Sequence, residues 1–412
     1  MAVPTKKEIL DFSPFNTGGK EELPEYRRKQ FPEVKKLLNK GLIFAITGLR
    51  RVGKTTLIKQ LFEKNAFYFS FDEKRYANQE TLKLVIDTFL EQSEKPLIAL
   101  DEVFRVEDWA GIIKRYHDQK KARFIVSGSS SLMIKKGIES LSGRMLEFYV
   151  QPLQFSEFLE MKGKGPQKII SLEEAFSVKR RYQEELEVFL KKGSFPETVS
   201  NTFDEKTAAN YIKTSTIEKI VFDDIPYIFK IEHPSKLYDL LKLCATNSSR
   251  LFTEINLSEA LQLSRHAISD YLLYLKKSYL VDILYAKGSL QKTLKKQKKI
   301  FVKTASIYNA LAENPTVGQA AETTVYDKLG QQKITFYRDE QKREIDFLAD
   351  MPIEVKYQST ITSEDTKQIS YYMEKHKKTQ GMVITKDLFD EKTVDGKKIT
   401  FVPLDVFLLS DI

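Results

Sequence analysis

Gly48-Leu-Arg-Arg-Val-Gly53-Lys54-Thr55 places two glycines, a lysine and a hydroxyl at the spacing that lets one loop wrap a run of phosphates. The glycines allow backbone N–H groups to turn inward, and the helix that should begin there adds its positive end. Gly48, Leu49, Arg50, Arg51, Val52, Gly53, Lys54, Thr55 and Thr56 are therefore the expected ATP-contacting stretch. Lys54 would reach the β- and γ-phosphates, and the Thr55 hydroxyl would ligate Mg²⁺. Asp101 and Glu102 end the apolar run of residues 95–104. Two adjacent acids at the end of a buried strand are costly unless a cation or partner meets them. Asp101 is placed to hold Mg²⁺, and Glu102 to act as the general base toward the attacking water. Ser127 and Ser129, at the end of a third apolar run, either report the γ-phosphate or simply supply turn chemistry. Arg144 lies on a turn before a further strand, where it either acts on a neighbouring subunit's γ-phosphate or is solvated.

A second constellation lies in the last third. The pattern from residue 318 onward reads as a helix, three strands, a helix and further strands over 380–386 and 399–409. That order resembles the core of the restriction-endonuclease-like PD-(D/E)xK superfamily. The resemblance assigns Asp346 to the second strand and Glu354 and Lys356 to one face of the third, since residues two apart point the same way. It brings Glu322 from the preceding helix, and Gln368 sits where some members add a polar residue. In such sites carboxylates bind a divalent metal that activates water, while the lysine orients the nucleophile or stabilises charge. Such domains also persist as DNA-binding or assembly platforms, because fold does not imply function.

Between these sites, residues 252–285 give two short helical patterns, with Leu257, Leu263, Ile268, Leu272 and Leu275 inside and Ser264 as N-cap of the second. The alternating stretches around 279–286 and 298–304 would be the wing strands of a winged helix. Residues 287–299 contain six lysines and no acid. Arg265, His266, Lys292, Lys295, Lys296, Lys298 and Lys299 are the expected DNA-contacting set, positioning a duplex rather than reading it. The same features fit a packing module with a solvated lysine turn.

The elements that must position these groups follow from the apolar pattern. An α/β multi-domain chain is expected, with a P-loop parallel-sheet ATPase core over 1–165. A helical and winged-helix domain follows over 166–310, then a restriction-endonuclease-like α/β domain over 311–412. The chain has 412 residues and a formal net charge of +9, with 42% hydrophobic and 30% charged residues, an ordinary globular balance. No apolar run approaches the roughly 18–20 residues of a membrane span. A single cysteine, Cys244, excludes an internal disulfide and fits a reducing cytosol, and four histidines make a zinc site a poor reading.

The strand-GLRRVGKTTL pattern, LDEV (100–103), SGSSS (127–131), SGR…PLQFSEFL (142–159), a glycine–x–pro turn in KKGSFPETV (191–199) and TSTIEKIVFDDI (214–225) together carry a resemblance. The chain resembles the archaeal and bacterial AAA-type P-loop ATPases, of the additional-strand, catalytic-glutamate division, that carry a C-terminal domain of unknown function. The resemblance covers most of the chain. It implies an oligomer, such as a hexameric ring, in which Arg144 completes a neighbour's site. Where relatives commonly carry an aspartate this chain has Thr304, which receives no role. The expectation is a cytoplasmic Mg²⁺- and ATP-dependent motor on branched or duplex DNA, in repair or recombination, with no membrane partner. The alternatives are an ATP-dependent, metal-requiring nuclease and an ATP-gated switch with a protein partner.

Overall fold

The computed structural model describes residues 3–13, 22–38, 40–129, 141–165, 171, 174, 182–288, 298–330, 332–394 and 396–410. The chain folds as two compact units, Met1–Pro152 and Leu153–Ile412. No helix among the described residues is long and apolar enough to cross a membrane.

The first unit is built on strands β1 (Ile43–Thr47), β2 (Ala66–Ser70), β3 (Leu97–Asp101), β4 (Arg123–Gly128) and β5 (Met145–Tyr149). All pairings are parallel, in the order β2-β3-β4-β1-β5. β1 and β3 are buried along their whole length, which is why they read as unbroken apolar runs rather than alternating ones. Helices α1 (Lys54–Gln60), α2 (Gln79–Gln92) and α3 (Trp109–Asp118) supply the connections. Asn78 caps α2 by accepting from the Thr81 N–H. Strand register sets Ser70 beside Asp101 and Asp101 beside Ser127, one row at the carboxyl edge of the sheet.

In the second unit, α4 (Pro234–Thr246), β6 (Leu251–Phe252), α5 (Glu254–Leu261), α6 (Arg265–Lys277), β7 (Val281–Tyr285) and β8 (Lys298–Val302) follow in sequence. The three strands form an antiparallel sheet in the order β6-β8-β7. Ser264 caps α6 by accepting from the Ala267 N–H, as its sequence position predicts. Earlier in this unit the helix Glu205–Ile212 continues as π-helix over Lys213–Ile217 and Ile220–Asp224.

Then come α7 (Val317–Leu329), β9 (Thr335–Arg338), β10 (Glu344–Leu348), β11 (Pro352–Lys356), α8 (Ser363–Lys375), β12 (Gln380–Thr385), β13 (Asp390–Val394), β14 (Lys397–Pro403) and α9 (Leu404–Leu409). The sheet order is β13-β14-β12-β11-β10-β9, with β11, β12 and β14 mutually parallel. Ile345, Ile369, Tyr372, Met373, Val383 and Phe401 form its core against α8. A Cβ at Gly381 would lie 2.7 Å from the Met373 sulfur, so a larger residue there would require Met373 and Ile369 to shift. Two features differ from the sequence reading. β13 is an added strand, and the run after Pro403 is a helix rather than more strand. Apart from Asp405 that run is wholly apolar, so periodicity could not distinguish the two.

Candidate functional site

The loop after β1 carries the backbone signature its glycines demand. Gly48 takes a φ of +145°, and a Cβ there would lie 2.4 Å from the Val150 carbonyl oxygen. Gly53 takes a φ of +91° as the residue before α1, a conformation that only glycine adopts at low cost. The Lys54 ammonium lies inside the loop, donating to the carbonyls of Gly48 at 3.0 Å and Leu49 at 2.9 Å. Val52 is buried, Thr55 and Thr56 half-buried and Arg51 exposed with φ +68°.

Asp101 is the centre of the site. Its carboxylate accepts from the Thr55 hydroxyl at 2.7 Å, the Tyr68 hydroxyl at 2.8 Å and the Ser127 hydroxyl. α1, β2 and β4 thus converge on one carboxylate at the end of β3. Burial and the adjacent Asp101 charge push the Tyr68 phenol far up, so it stays a neutral donor. Glu102 follows in a left-handed conformation, φ +51°, and is buried at the same edge. Ser129 is buried two residues beyond Ser127. The Thr55 hydroxyl and the Asp101 carboxylate form the hard oxygen donor pair that suits Mg²⁺, and the cradle of Gly48, Gly53 and Lys54 suits a polyphosphate. The residues present fit both groups.

Two contributors escape a reading of the sequence. Tyr68 has a signal, since it is the hydroxyl-bearing ring between Phe67 and Phe69, two positions before Ser70 on the same face. Arg28 has none. It is buried and donates to the Val52 carbonyl at 2.7 Å and to the Gln151 carbonyl at 2.8 Å, tying the N-terminal segment to the loop. Arg50 pairs with Asp72 at 3.2 Å, and Arg105 approaches the same carboxylate at 3.4 Å. Arg144 precedes β5, at the amino end of a strand parallel to β1, and pairs with Asp118 at 2.7 Å. Since the phosphate loop leaves the carboxyl end of β1, Arg144 lies at the opposite edge of the sheet from its own loop.

The expected DNA-contacting set divides. Arg265 and His266 are exposed at the start of α6. Lys292, Lys295 and Lys296 lie outside the described residues. Lys298 is paired with Glu254 at 2.9 Å and largely covered. Lys299 is a correction: it is not presented to solvent, having 2% exposure. Successive residues of β8 point to opposite faces, and Lys299 points into the C-terminal carboxylates.

There its ammonium lies 3.1 Å from Glu322, 2.8 Å from Glu344 and 2.9 Å from Asp346. The structure therefore brings Glu322 and Asp346 together, as the sequence reading expects, but around a lysine that it assigned elsewhere. Asp346 also accepts from the Val355 N–H at 3.0 Å, and Glu344 from Arg338 at 2.9 Å. Glu354 is buried on β11, with Lys356 3.4 Å away. Burial and the Asp346 charge push Glu322 up to about 7 and Glu354 well up. Burial also acts to raise Asp346, but Lys299 outweighs it and holds that carboxyl below its ordinary value. Gln368, on α8, has a buried amide oxygen with no hydrogen-bond partner among the described residues. Glu344 was legible, being two residues before Asp346 on one strand face. Lys299 was legible only as a charge within an apolar strand.

Residues 40–159 match a family model described as an AAA domain. Residues 183–317 and 310–407 match two domains of unknown function, DUF8612 and DUF4143. The chain is 25% identical over 419 residues to the uncharacterized protein MJ1637 of Methanocaldococcus jannaschii, covering 90% of this chain and 85% of that one. It is 27% identical over 344 residues to the uncharacterized protein MJ1544 of the same organism, covering 77% and 73%. A solved STAND-type signal transduction ATPase with a tetratricopeptide repeat sensor, from Pyrococcus horikoshii, is 13% identical with a TM-score of 0.30. That likeness covers 76% of this chain and 46% of that one, and carries nothing about function. The AAA-domain match and the loop geometry agree: the first unit is a P-loop domain of the AAA type.

Proposed function

We propose that the chain hydrolyses ATP in its first unit and applies the cycle to DNA. The observation that carries the hydrolytic part is the convergence of Thr55, Tyr68 and Ser127 on Asp101, with Glu102 next in line. Lys54 and the loop N–H groups hold the β- and γ-phosphates, and Thr55 and Asp101 would hold Mg²⁺. The ion supplies charge neutralisation to the transferring phosphoryl group when bound. Glu102 orients the attacking water and takes its proton. Ser127 connects the strand end beside the γ-phosphate to Asp101, so a change there reaches the carboxylate through one hydrogen bond.

The DNA part of the proposal is supported by the order of α5, α6, β7 and β8, which is that of a helix-turn-helix with a hairpin wing. Arg265 and His266 are exposed on α6, and the chain joining β7 to β8 is rich in lysine. Lysine contacts of this kind place a backbone without reading bases, so the preferred DNA is defined by shape, and branched DNA in repair or recombination is the favoured load. In an oligomer Arg144 would exchange Asp118 for a neighbour's γ-phosphate. The nuclease alternative finds no support in the carboxylate cluster, whose centre is a lysine ammonium.

Steady-state ATP turnover of the wild type and Glu102→Gln, without DNA, with duplex and with a four-way junction, tests the proposal. Stimulation by DNA, greatest on the junction and absent in Glu102→Gln, is expected. Equal turnover under all three conditions would overturn the DNA role, and undiminished turnover in Glu102→Gln the hydrolytic one.

A further inference from the structure

A PD-(D/E)xK-like arrangement implies a divalent metal between the carboxylates of Glu322, Asp346 and Glu354. The side chains here do not fit one. The position equidistant from Glu322, Glu344 and Asp346 belongs to the Lys299 ammonium, with all three oxygens at 2.8–3.1 Å. Most of the other oxygens are engaged as well, although Glu354 Oε1 is buried with no hydrogen-bond partner among the described residues. Asp346 accepts from the Val355 N–H and Glu344 from Arg338, while Glu354 has Lys356 beside it. Among the described residues no group of three or more His, Cys, Asp or Glu side chains is arranged to hold a metal ion. A divalent ion would have to enter a space already filled by a cation and displace three charge-assisted hydrogen bonds.

Charge balance leads to the same place. Lys299, Lys356 and Arg338 bring three cations to the four acids Glu322, Glu344, Asp346 and Glu354. A buried cluster is tolerable only when its charges are paired and hydrogen-bonded, and here each of the four acids already has a cation beside it, with one negative charge left over in the sum.

We infer that Lys299 is the resident cation of this cluster, taking the place of a divalent metal and fastening the β7–β8 hairpin to the C-terminal sheet. A second attachment lies on the other strand of the hairpin. Ala286, just after β7, bridges to Phe336 of β9, and the Lys287 N–H donates to the Phe336 carbonyl at 2.7 Å. Both strands of the hairpin are therefore joined to the sheet that carries the acids. The physical consequence is that β7, β8 and the C-terminal sheet move as one body, and this domain is an anchor for the hairpin rather than a metal-dependent cutting centre. This inference is independent of the reading of the P-loop site.

The test uses the full chain without nucleotide. Mn²⁺ binding, followed by electron paramagnetic resonance, is compared between wild type and Asp346→Asn, both checked for folding by circular dichroism. Identical binding is expected, and loss of a bound Mn²⁺ in Asp346→Asn would overturn the inference. Melting is the second readout. Lys299→Met takes the central counter-ion from Glu322 and Asp346, while Glu344 keeps Arg338, so the transition of the second unit should fall by roughly 6–20 °C. Lys299→Arg should lose much less, and a Lys299→Met protein that melts with the wild type would equally overturn the inference.

Discussion

Replacing Tyr68 with phenylalanine isolates the contribution of one donor to the nucleotide site. The Tyr68 hydroxyl donates at 2.8 Å to the same Asp101 oxygen that accepts from Thr55 at 2.7 Å. Phenylalanine keeps the ring, which lies 4.8 Å from the Lys59 ammonium, and removes the hydroxyl without stranding a buried donor. A hydrogen bond to a charged acceptor contributes about 1.5–3 kcal/mol. Thr55 and Ser127 remain to hold the carboxylate, so the lower part of that range, about 1.5–2 kcal/mol, applies. At about 1.4 kcal/mol per tenfold, the Mg²⁺-dependent part of ATP affinity should weaken by roughly 10- to 30-fold. The assay is titration of a fluorescent ATP analogue with Mg²⁺ and with EDTA, the ratio of the two affinities being the readout. Because burial and Asp101 push the phenol up, Tyr68 remains protonated at neutral and moderately alkaline pH, and the ratio of wild type to variant should be flat across it. A ratio unchanged in Tyr68→Phe, or one that increases, would refute the reasoning that Tyr68 orients Asp101 for the ion.

Gly48→Ala should abolish ATP binding and destabilise the first unit, because its Cβ would meet the Val150 carbonyl at 2.4 Å in a backbone conformation of φ +145°; equilibrium dialysis and thermal melting check this. Arg28→Met removes the guanidinium hydrogen bonds to the Val52, Gln151 and Pro152 carbonyls and should cost about 3–6 kcal/mol in urea unfolding of the first unit, with ATP affinity falling alongside. The second unit should show pH-dependent stability of a definite sign. Glu322 is raised from its ordinary value to about 7, so its contribution is full below about pH 4.5 and is lost as pH rises through about 7. Glu354, raised by burial, acts in the same sense, whereas Asp346, held down by Lys299, contributes only at pH above its own lowered value. Glu322→Gln should therefore flatten, without abolishing, the loss of stability between pH 5 and 7 in urea titrations; an unchanged slope would remove Glu322 as a cause.

The phosphate loop, the Asp101-Glu102 pair and the parallel strands that carry them were legible in the sequence because they are local. A glycine spacing, an apolar run and a strand end lie within a few residues of one another, and backbone sterics do the rest. The Ser264 cap and the hairpin after α6 were legible for the same reason. What needed tertiary structure was pairing across long stretches of chain. Tyr68 reaches Asp101 through strand order, and Arg28 reaches Val52 through the path of the N-terminal segment. The case that decides most is Lys299. In the sequence it is the last of six lysines in a basic run, and composition assigns it to solvent and to a phosphate backbone. In the fold, strand alternation turns it away from Lys298 and into Glu322, Glu344 and Asp346. A charge can be counted from sequence, but its counter-ion is chosen by which strands pack together, and that choice turned a metal-site pattern into an internal ion-pair cluster.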